Sequence, residues 1–234
     1  IPRVSCFTEE FKYPVIFQKS INSTWMSVSP NEVFTIEKPI KNAKGKVLTL
    51  GCGMGYFAYM ASIKEDVESI TIIELEQSVI DLFEKCILPQ FENKDKITIV
   101  KADAVEYLRN IEDGVYDYCF ADIWIGIEDI APYFAVKEIG RNLRKTKIEY
   151  WIEDSFAILL SSSVWIEIMK AFSEANKMEI PPLDESKLTS SDKRKENYIH
   201  RLLSDVEISK PEHIDYYMKP QNIITLIDRT DIIF

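Results

Sequence analysis

Three glycines and three carboxylates in the central part of the chain have the chemistry needed to hold a nucleotide. The glycines form the loop Gly51-Cys52-Gly53-Met54-Gly55, directly after a short apolar run. The carboxylates stand at or just after the ends of the next three apolar runs, at Glu74, Asp103 and Asp122. A glycine-rich turn lets backbone approach a ligand closely, and a carboxylate accepts hydrogen bonds from hydroxyl groups. The set therefore predicts a nucleotide site.

The spacing of the glycines separates this loop from the dinucleotide fingerprint GxGxxG. The third glycine is Gly55, and the residue after it is Tyr56, which would crowd the contact between helix and strand. An NAD-dependent enzyme is therefore disfavoured. Glu74 follows the glycines by about twenty residues, the spacing at which a carboxylate meets a ribose diol. Because 38 of 234 residues are acidic, the alternatives are chance placement and, for Asp122, a turn or helix-capping role.

The hydrophobic pattern predicts the elements that bring these residues together. Short apolar runs alternate with segments of helical periodicity. The predicted strands are Val47–Leu50, Ile70–Glu74, Ile97–Val100 and Tyr116–Asp122, and the helices between them are Tyr56–Lys64, Ser78–Leu88 and Ala104–Asn110. This alternation predicts parallel strands with helical crossovers. The glycine loop and the carboxylates are then expected at one edge of the sheet.

Three segments are predicted along the chain. Residues 1–40 form an N-terminal strand and loop extension, residues 41–180 form the main domain, and residues 181–234 form a helical and loop region that packs on it. The predicted fold is α/β, a Rossmann-like, doubly wound, mostly parallel sheet with helices on both faces. Further elements are predicted as helices at Ile130–Lys145 and Phe156–Asn176, a fifth strand at Ile148–Glu153, a late strand at Ile224–Asp228, and a surface helix or mobile lid within Pro181–Lys210.

Composition and charge restrict the partners. The chain has 28 Lys and Arg against 38 Asp and Glu, and the net charge of −10 argues against nucleic acid and leaves a small acceptor, cationic or neutral, open. Four cysteines without a CxxC pair and only two histidines predict no metal site. Cysteines in predicted strands indicate a reducing, cytoplasmic location. We expect neither a signal peptide nor a membrane span, and the aromatic-rich N-terminal segment could mediate a homodimer.

The central motifs resemble those of a known family. The stretches VLTLGCGMGYFAY, ITIIELEQSVI, ITIVKADAVEYL and YDYCFADIW are similar to class I S-adenosylmethionine-dependent methyltransferases, and most of all to the branch that includes spermidine synthase. The resemblance implies a glycine loop under the methionine moiety, ribose binding by Glu74 and a place for Asp122 at the reacting centre. It also implies that Asp103 and Ala104 flank the adenine. The cofactor-binding residues implied are Gly51, Cys52, Gly53, Gly55, Glu74, Leu75, Asp103, Ala104 and Asp122.

Two positions depart from the polyamine-synthase pattern. Those enzymes typically carry an aspartate inside the glycine loop, which helps to hold the aminopropyl end of decarboxylated S-adenosylmethionine, and this chain has Met54. They also carry a second aspartate shortly after the counterpart of Asp122, whereas the next carboxylates here are Glu128 and Asp129. We therefore expect methyl transfer from S-adenosylmethionine to a small molecule, with Asp122 as the catalytic residue. Aminopropyl transfer and a non-catalytic S-adenosylmethionine-binding protein are the alternatives.

Aromatic residues beyond the fourth predicted strand are candidates for the acceptor side. Trp124 could wall the acceptor pocket or stack on a cationic substrate, and a core or interface position is the alternative reading. Tyr150, Trp151 and Glu153 form a second cluster near a predicted strand end. There we favour a structural role, because aromatic side chains bury large areas whatever their function.

Overall fold

Strands and helices alternate in the structure as the sequence pattern predicts. The computed structural model describes residues 9–20, 22–126, 130–179 and 189–229. The chain divides into two units, Ile1–Ile123 with Asn142–Trp151, and Trp124–Arg141 with Ile152–Phe234. The boundaries of these two units differ from those of the three predicted segments. The boundaries of the predicted segments stay a prediction.

The first unit contains all the strands that the structure describes. Its elements in chain order are β1 (Val15–Gln18), β2 (Ser23–Ser27), α1 (Pro30–Asn42), β3 (Gly45–Leu50), α2 (Tyr56–Ser62), β4 (Val67–Glu74), α3 (Gln77–Leu82), β5 (Ile97–Lys101), α4 (Ala104–Asn110), β6 (Tyr118–Ala121) and β7 (Lys147–Tyr150). The four predicted central strands and the fifth strand are all present, within a few residues of the expected bounds.

The main sheet has five parallel strands in the order β5-β4-β3-β6-β7. β3 is central, and its Leu50 lies opposite Ile73 of β4 and Ala121 of β6. The chain leaves β3 toward one edge of the sheet and later returns to β6 on the other side. Ligands of such sheets bind outside the carboxyl ends of the strands at this reversal. The predicted Rossmann-like fold is confirmed, and the reversal lies between the glycine loop and Asp122.

Continuous apolar runs explain why these strands are central. Val47, Leu48 and Leu50 of β3 are fully buried, as are Ile70 and Ile72 of β4. Strands covered on both faces need apolar residues at successive positions rather than alternating ones. Covering the sheet fixes the carboxyl ends of β3, β4 and β6, and these ends carry the candidate site residues.

The helix predicted at Ser78–Leu88 is regular only over its first part. After α3 the chain forms a π-helical turn at Phe83–Ile87 and a 3-10 turn at Leu88–Gln90. Pro89 lies in the 3-10 turn, and proline disrupts a continuing α-helix. Phe83 is fully buried and packs edge-on against Phe91.

The N-terminal part of the first unit corrects the sequence prediction in one respect. β1 and β2 pair as an antiparallel hairpin, as expected. Residues 30–42 form helix α1 instead of strand and loop. Ser29 accepts a hydrogen bond from the Glu32 amide, and the Glu32 carboxylate accepts one from the Ser29 amide. This capping box, followed by Pro30 at the helix start, stabilises a helix despite Pro39 in its last turn.

The second unit is helical in the residues described. It contains α5 (Ile130–Gly140), α6 (Glu153–Asn176), α7 (Ser190–Leu203), α8 (Pro211–Tyr217) and α9 (Pro220–Ile227). The predicted late strand at Ile224–Asp228 is wrong, because α9 covers nearly all of it. Pro220 starts this helix, and Ile223, Leu226 and Ile227 are buried at helical spacing. A surface helix within Pro181–Lys210 is confirmed by α7, while residues 180–188 lie outside the described residues.

Helix α6 bears on the expectation that the chain has no membrane span. It has 24 residues and a mean hydropathy of 1.4 over an 18-residue window, so by length and composition it could cross a membrane. The core helices of water-soluble proteins meet the same criterion, and 33% of the window is buried. The cytoplasmic location expected from the cysteines stays a prediction.

Candidate functional site

The glycine loop after β3 is held in a backbone conformation that favours glycine. Gly51, Gly53 and Gly55 have φ angles of 94°, 52° and 74°. A Cβ atom at Gly51 would lie 2.1 Å from the carbonyl oxygen of Asp122, and one at Gly55 would lie 2.4 Å from the Phe83 ring. Those two glycines therefore serve close packing, with β6 in one case and with the turn after α3 in the other.

Gly53 differs from its two neighbours because it faces open space. A Cβ atom there would meet no heavy atom within 4 Å. The tip of the loop thus presents bare backbone at the carboxyl end of the central strand. This is the arrangement expected where backbone approaches a ligand.

Glu74, at the end of β4, is fixed by two backbone amides. Its Oε2 accepts a hydrogen bond from the Cys52 amide at 3.0 Å, and its Oε1 accepts one from the Glu76 amide at 2.9 Å. The residue is buried. Each carboxylate oxygen can accept about two hydrogen bonds, so one acceptor position per oxygen is left for a diol. Glu74 therefore joins the glycine loop to the position predicted for the ribose.

Cys52 and Leu75, the neighbours of these residues, differ in exposure. Cys52 is buried, and burial, with a smaller contribution from the charge of Glu74, raises the pKa of its thiol far above the ordinary value. The thiol is therefore protonated and behaves as an apolar group. Leu75 is 56% exposed. A leucine side chain open to solvent beside Glu74 is available to cover an aromatic ring.

Asp103 caps helix α4. Its Oδ1 accepts a hydrogen bond from the Glu106 amide at 2.8 Å, while Ala104 behind it is buried. Capping is thus one role of this carboxylate. The residue is exposed, and it follows β5, which lies beside β4. Its predicted contact with an adenine amine stays a prediction.

Asp122 follows β6 and lies next to the glycine loop. Its amide donates to the carbonyl oxygen of Leu50 at 2.9 Å, so it stands one residue beyond the paired part of the strand. The residue as a whole is partly exposed, but its carboxyl group is desolvated. Burial and, to a smaller extent, the negative charge of Glu32 together raise the pKa of this carboxyl from 3.8 to about 7. Near neutral pH it therefore exchanges a proton readily.

Glu32 is the site residue that sequence reasoning missed. It belongs to α1, far from Asp122 in the chain, and its charge acts on the Asp122 carboxyl. The Ser29-Pro30-Asn31-Glu32 sequence is a capping-box pattern, so the helix could have been predicted from it. The neighbourhood of Asp122 could not, because it depends on the packing of α1 on the sheet.

Two of the predicted acceptor-side residues, Trp124 and Glu153, make contacts within the helical unit. Trp124 belongs to the helical unit, where it is buried edge-on against Tyr133 and Phe156. In that unit Glu153 accepts hydrogen bonds from Tyr133 and from the buried Lys137. These contacts agree with core roles, and substrate binding by Trp124 stays a prediction. Among the described residues, no group of three or more His, Cys, Asp and Glu has the arrangement of a metal site.

The chain matches the model of a known protein family. The model of the spermine/spermidine synthase domain matches residues 34–176, more than half of the chain. The chain belongs to this family. The resemblance to class I S-adenosylmethionine-dependent methyltransferases of the spermidine-synthase-like branch is confirmed. Family membership does not distinguish methyl transfer from aminopropyl transfer. No curated protein sequence matches.

Several solved structures are similar over part of the chain. Spermidine synthase from Thermotoga maritima is 18% identical, with 54% of this chain and 46% of that chain covered and a TM-score of 0.42. Spermidine synthase in complex with the transition state analogue AdoDATO is also 18% identical, with 54% of this chain and 47% of that chain covered and a TM-score of 0.43. Precorrin 8w decarboxylase from Methanobacterium thermoautotrophicum is 18% identical, with 55% of this chain and 67% of that chain covered and a TM-score of 0.42. The chain spans about half the length of the two synthases, and at these TM-scores the structures carry no argument about activity.

Proposed function

We propose that the protein is an S-adenosylmethionine-dependent methyltransferase that acts on a small molecule. The observation that carries the proposal is the open side of the glycine loop at Gly53, next to the anchored carboxylate of Glu74. The loop lies at the reversal of the sheet order, where a nucleotide is expected, and Glu74 ends the neighbouring strand β4. Membership of the spermine/spermidine synthase domain family supports an adenosylmethionine-type ligand.

The residues at this edge fit the cofactor on chemical grounds. Glu74 has spare acceptor positions for the two ribose hydroxyls, and Gly53 has no side chain to keep a ligand away from the loop. Leu75 offers an exposed apolar side chain, and Asp103 offers an exposed carboxylate after the neighbouring strand. A sulfonium cofactor supplies an activated methyl group when it is bound. The protein then has to orient the acceptor and exclude water.

Asp122 is the residue assigned to proton transfer. A bound sulfonium cofactor would supply the methyl carbon, and the acceptor nitrogen or oxygen would have to lose a proton to the protein. A carboxylate within hydrogen-bond reach takes that proton best when its pKa is near the working pH. Burial raises the pKa of Asp122 to about 7. The deprotonated, active fraction of Asp122 therefore increases as the pH rises through about 7.

The neutral loop favours methyl over aminopropyl transfer. Met54 occupies the position at which polyamine synthases typically place an aspartate against the cationic end of the decarboxylated cofactor. A loop without this charge does not select a cationic end over the zwitterionic end of intact S-adenosylmethionine. Aminopropyl transfer is the second candidate, because the matching family model is that of polyamine synthases.

Calorimetric titration tests the proposal and separates the candidates. We expect intact S-adenosylmethionine to bind more tightly than its decarboxylated form, and Glu74→Ala to weaken binding by about tenfold or more because a charged acceptor is lost. Glu68→Ala is the matched control, since Glu68 is exposed near the other end of β4. Thermal unfolding of each variant checks that the site is folded.

Three outcomes decide between the readings. Absence of binding of either cofactor at high micromolar concentration would overturn the proposal. Preference for the decarboxylated form would replace methyl with aminopropyl transfer. Cofactor binding without turnover of amine or hydroxyl acceptors would identify a non-catalytic binding protein.

A further inference from the structure

The second unit contains an open cavity of about 400 Å³ near the end of the described chain. It lies between the segment that follows α7, helix α8 and the residue after the end of α9. A volume of this size is within the range of small-molecule sites. The side chains that line it include Asp205, Glu207, His213, Tyr216, Tyr217 and Arg229.

Two tyrosines of α8 give the lining an aromatic corner. The ring centroids of Tyr216 and Tyr217 are 4.9 Å apart, and the ring planes stand at 87° to each other. Burial, and after it the charges of Tyr216 and Asp205, raise the pKa of Tyr217 above its ordinary value, so its ring is uncharged at neutral pH. The face of such a ring attracts a cation, and methylated ammonium groups are held in this way.

The arginine in the lining is neutralised by a carboxylate of the same unit. Nη1 and Nη2 of Arg229 donate to the two carboxylate oxygens of Asp205 at 2.5 and 2.8 Å, and Nη1 also donates to the carbonyl oxygen of Leu202. A two-point pair of this kind fixes both side chains and cancels their charges. Arg229 therefore does not make the cavity a site for anions.

Glu207 gives the lining its net negative charge. Its Oε1 accepts a hydrogen bond from the Ser209 hydroxyl at 2.8 Å, and it makes no ion pair with a basic residue in the described ranges. The Ser209 amide donates to Nδ1 of His213 at 3.3 Å, so Nδ1 carries no proton and the ring is neutral in this arrangement. The charge of Glu207 is therefore not cancelled by His213.

We infer that this cavity binds a small solute that carries a methylated ammonium group, held by the rings of Tyr216 and Tyr217 and by the charge of Glu207. The inference does not rest on the proposed function, because none of these residues belongs to the glycine loop or to the sheet. Glu212 and Asp215, both exposed on α8, add further negative charge. These carboxylates disfavour the phosphate of a lipid headgroup, so a free solute is the expected ligand.

Amide NMR titration of the full chain with choline tests the inference. The control is 3,3-dimethyl-1-butanol, which has the same shape with a carbon atom in place of the charged nitrogen. At constant ionic strength, choline should shift the amide signals of residues 205–217 in a saturable manner, and the alcohol should not. Tyr216→Leu should weaken choline binding by about two- to fivefold, whereas Tyr216→Phe keeps the ring and should bind choline like the wild type.

A pair of charge variants tests the role of Glu207. Glu207→Gln keeps an acceptor for the Ser209 hydroxyl and should weaken choline binding by about two- to fivefold. Glu212→Gln removes the same charge from an exposed position of α8 outside the lining and should bind choline like the wild type. Thermal unfolding of each variant checks that the second unit is folded.

Four results would overturn the inference. The first is the absence of a saturable shift in residues 205–217 up to about 50 mM choline. The second is equal affinity for choline and the uncharged alcohol. The third is equal choline affinity within either pair of variants, Tyr216→Leu with Tyr216→Phe or Glu207→Gln with Glu212→Gln. The fourth is co-sedimentation of the wild type, but not of Tyr216→Leu, with phosphatidylcholine vesicles, which would assign the cavity to a lipid headgroup instead of a free solute.

Discussion

The raised pKa of Asp122 predicts a pH-dependent gain in stability on its replacement by asparagine. The folded-state pKa is about 7 against an ordinary value of 3.8. In the folded state the carboxyl therefore holds its proton at pH values where the unfolded chain has lost it. The stabilisation that this proton gives is complete below about pH 4 and is lost as the pH rises through about 7. Asparagine is neutral throughout and has nearly the same shape.

The size of the effect follows from the pKa difference. A shift of about three pKa units corresponds to about 4 kcal/mol at 1.36 kcal/mol per unit. This is an upper bound, since the partial exposure of the residue lets solvent screen the charge. We expect Asp122→Asn to resemble the wild type in unfolding free energy near pH 4 and to exceed it by 1 to about 4 kcal/mol at pH 8.

Urea denaturation of both proteins at several pH values from 4 to 8 measures this difference. Subtracting the two unfolding free energies at each pH removes the titration of the other groups. Asp95→Asn, at an exposed position, is the control and should show no comparable trend. A difference between Asp122→Asn and the wild type that stays constant from pH 5 to pH 8 would refute the reasoning, because Asp122 would then titrate alike in both states.

Three further predictions concern the loop, the α4 cap and the N-terminal hairpin. Gly51→Ala should destabilise the fold by more than about 2 kcal/mol, because its Cβ meets backbone. Gly53→Ala should lower the unfolding free energy by only about 1–2 kcal/mol, because of its positive φ, and should weaken cofactor binding in calorimetry. Asp103→Asn should preserve the cap and its melting temperature but weaken cofactor binding, and Asp103→Ala should also lower the melting temperature by about 2–4 °C. Phe17 and Trp25 are exposed and are the candidates for holding two copies together. If they do, light scattering should give twice the 27.2 kDa chain mass for the wild type and the single mass after both are changed to serine, and equal masses would exclude this surface.

The central sheet could be predicted because its signals are local. β3, β4, β5 and β6 are short apolar runs, and each ends in or is followed within two residues by a glycine or a carboxylate. A helix follows β3, β4 and β5 within a few residues. Glu74 and Asp122 were expected at one edge for the same reason, since parallel strands place their carboxyl ends together. β3 and β6 are indeed neighbours, and Gly51 packs directly on the backbone of Asp122.

The errors concern apolar segments whose periodicity is ambiguous. Ile224–Asp228 is too short to distinguish a buried helix from a strand, and the proline at position 220 was the signal that favoured a helix. For residues 1–40 the aromatic and β-branched residues before Ser29 favoured strands, and the capping box at Ser29 was the signal for a helix. The contact between α1 and the residue that follows β7 joins Thr35 and Trp151, which are far apart in sequence. No local pattern carries that information, so the surroundings of Asp122 required coordinates.

The clamp that Glu74 places on the amides of Cys52 and Glu76 has a kinetic consequence. Under the proposed function, a ribose would meet a carboxylate that is already oriented, so little conformational entropy would be lost in ordering the loop on association. Hydrogen–deuterium exchange at the Cys52 amide should accordingly be slow before any ligand is added and change little afterwards. Adenosyl compounds would then associate at similar rates, and selectivity between them would come from differences in their dissociation rates.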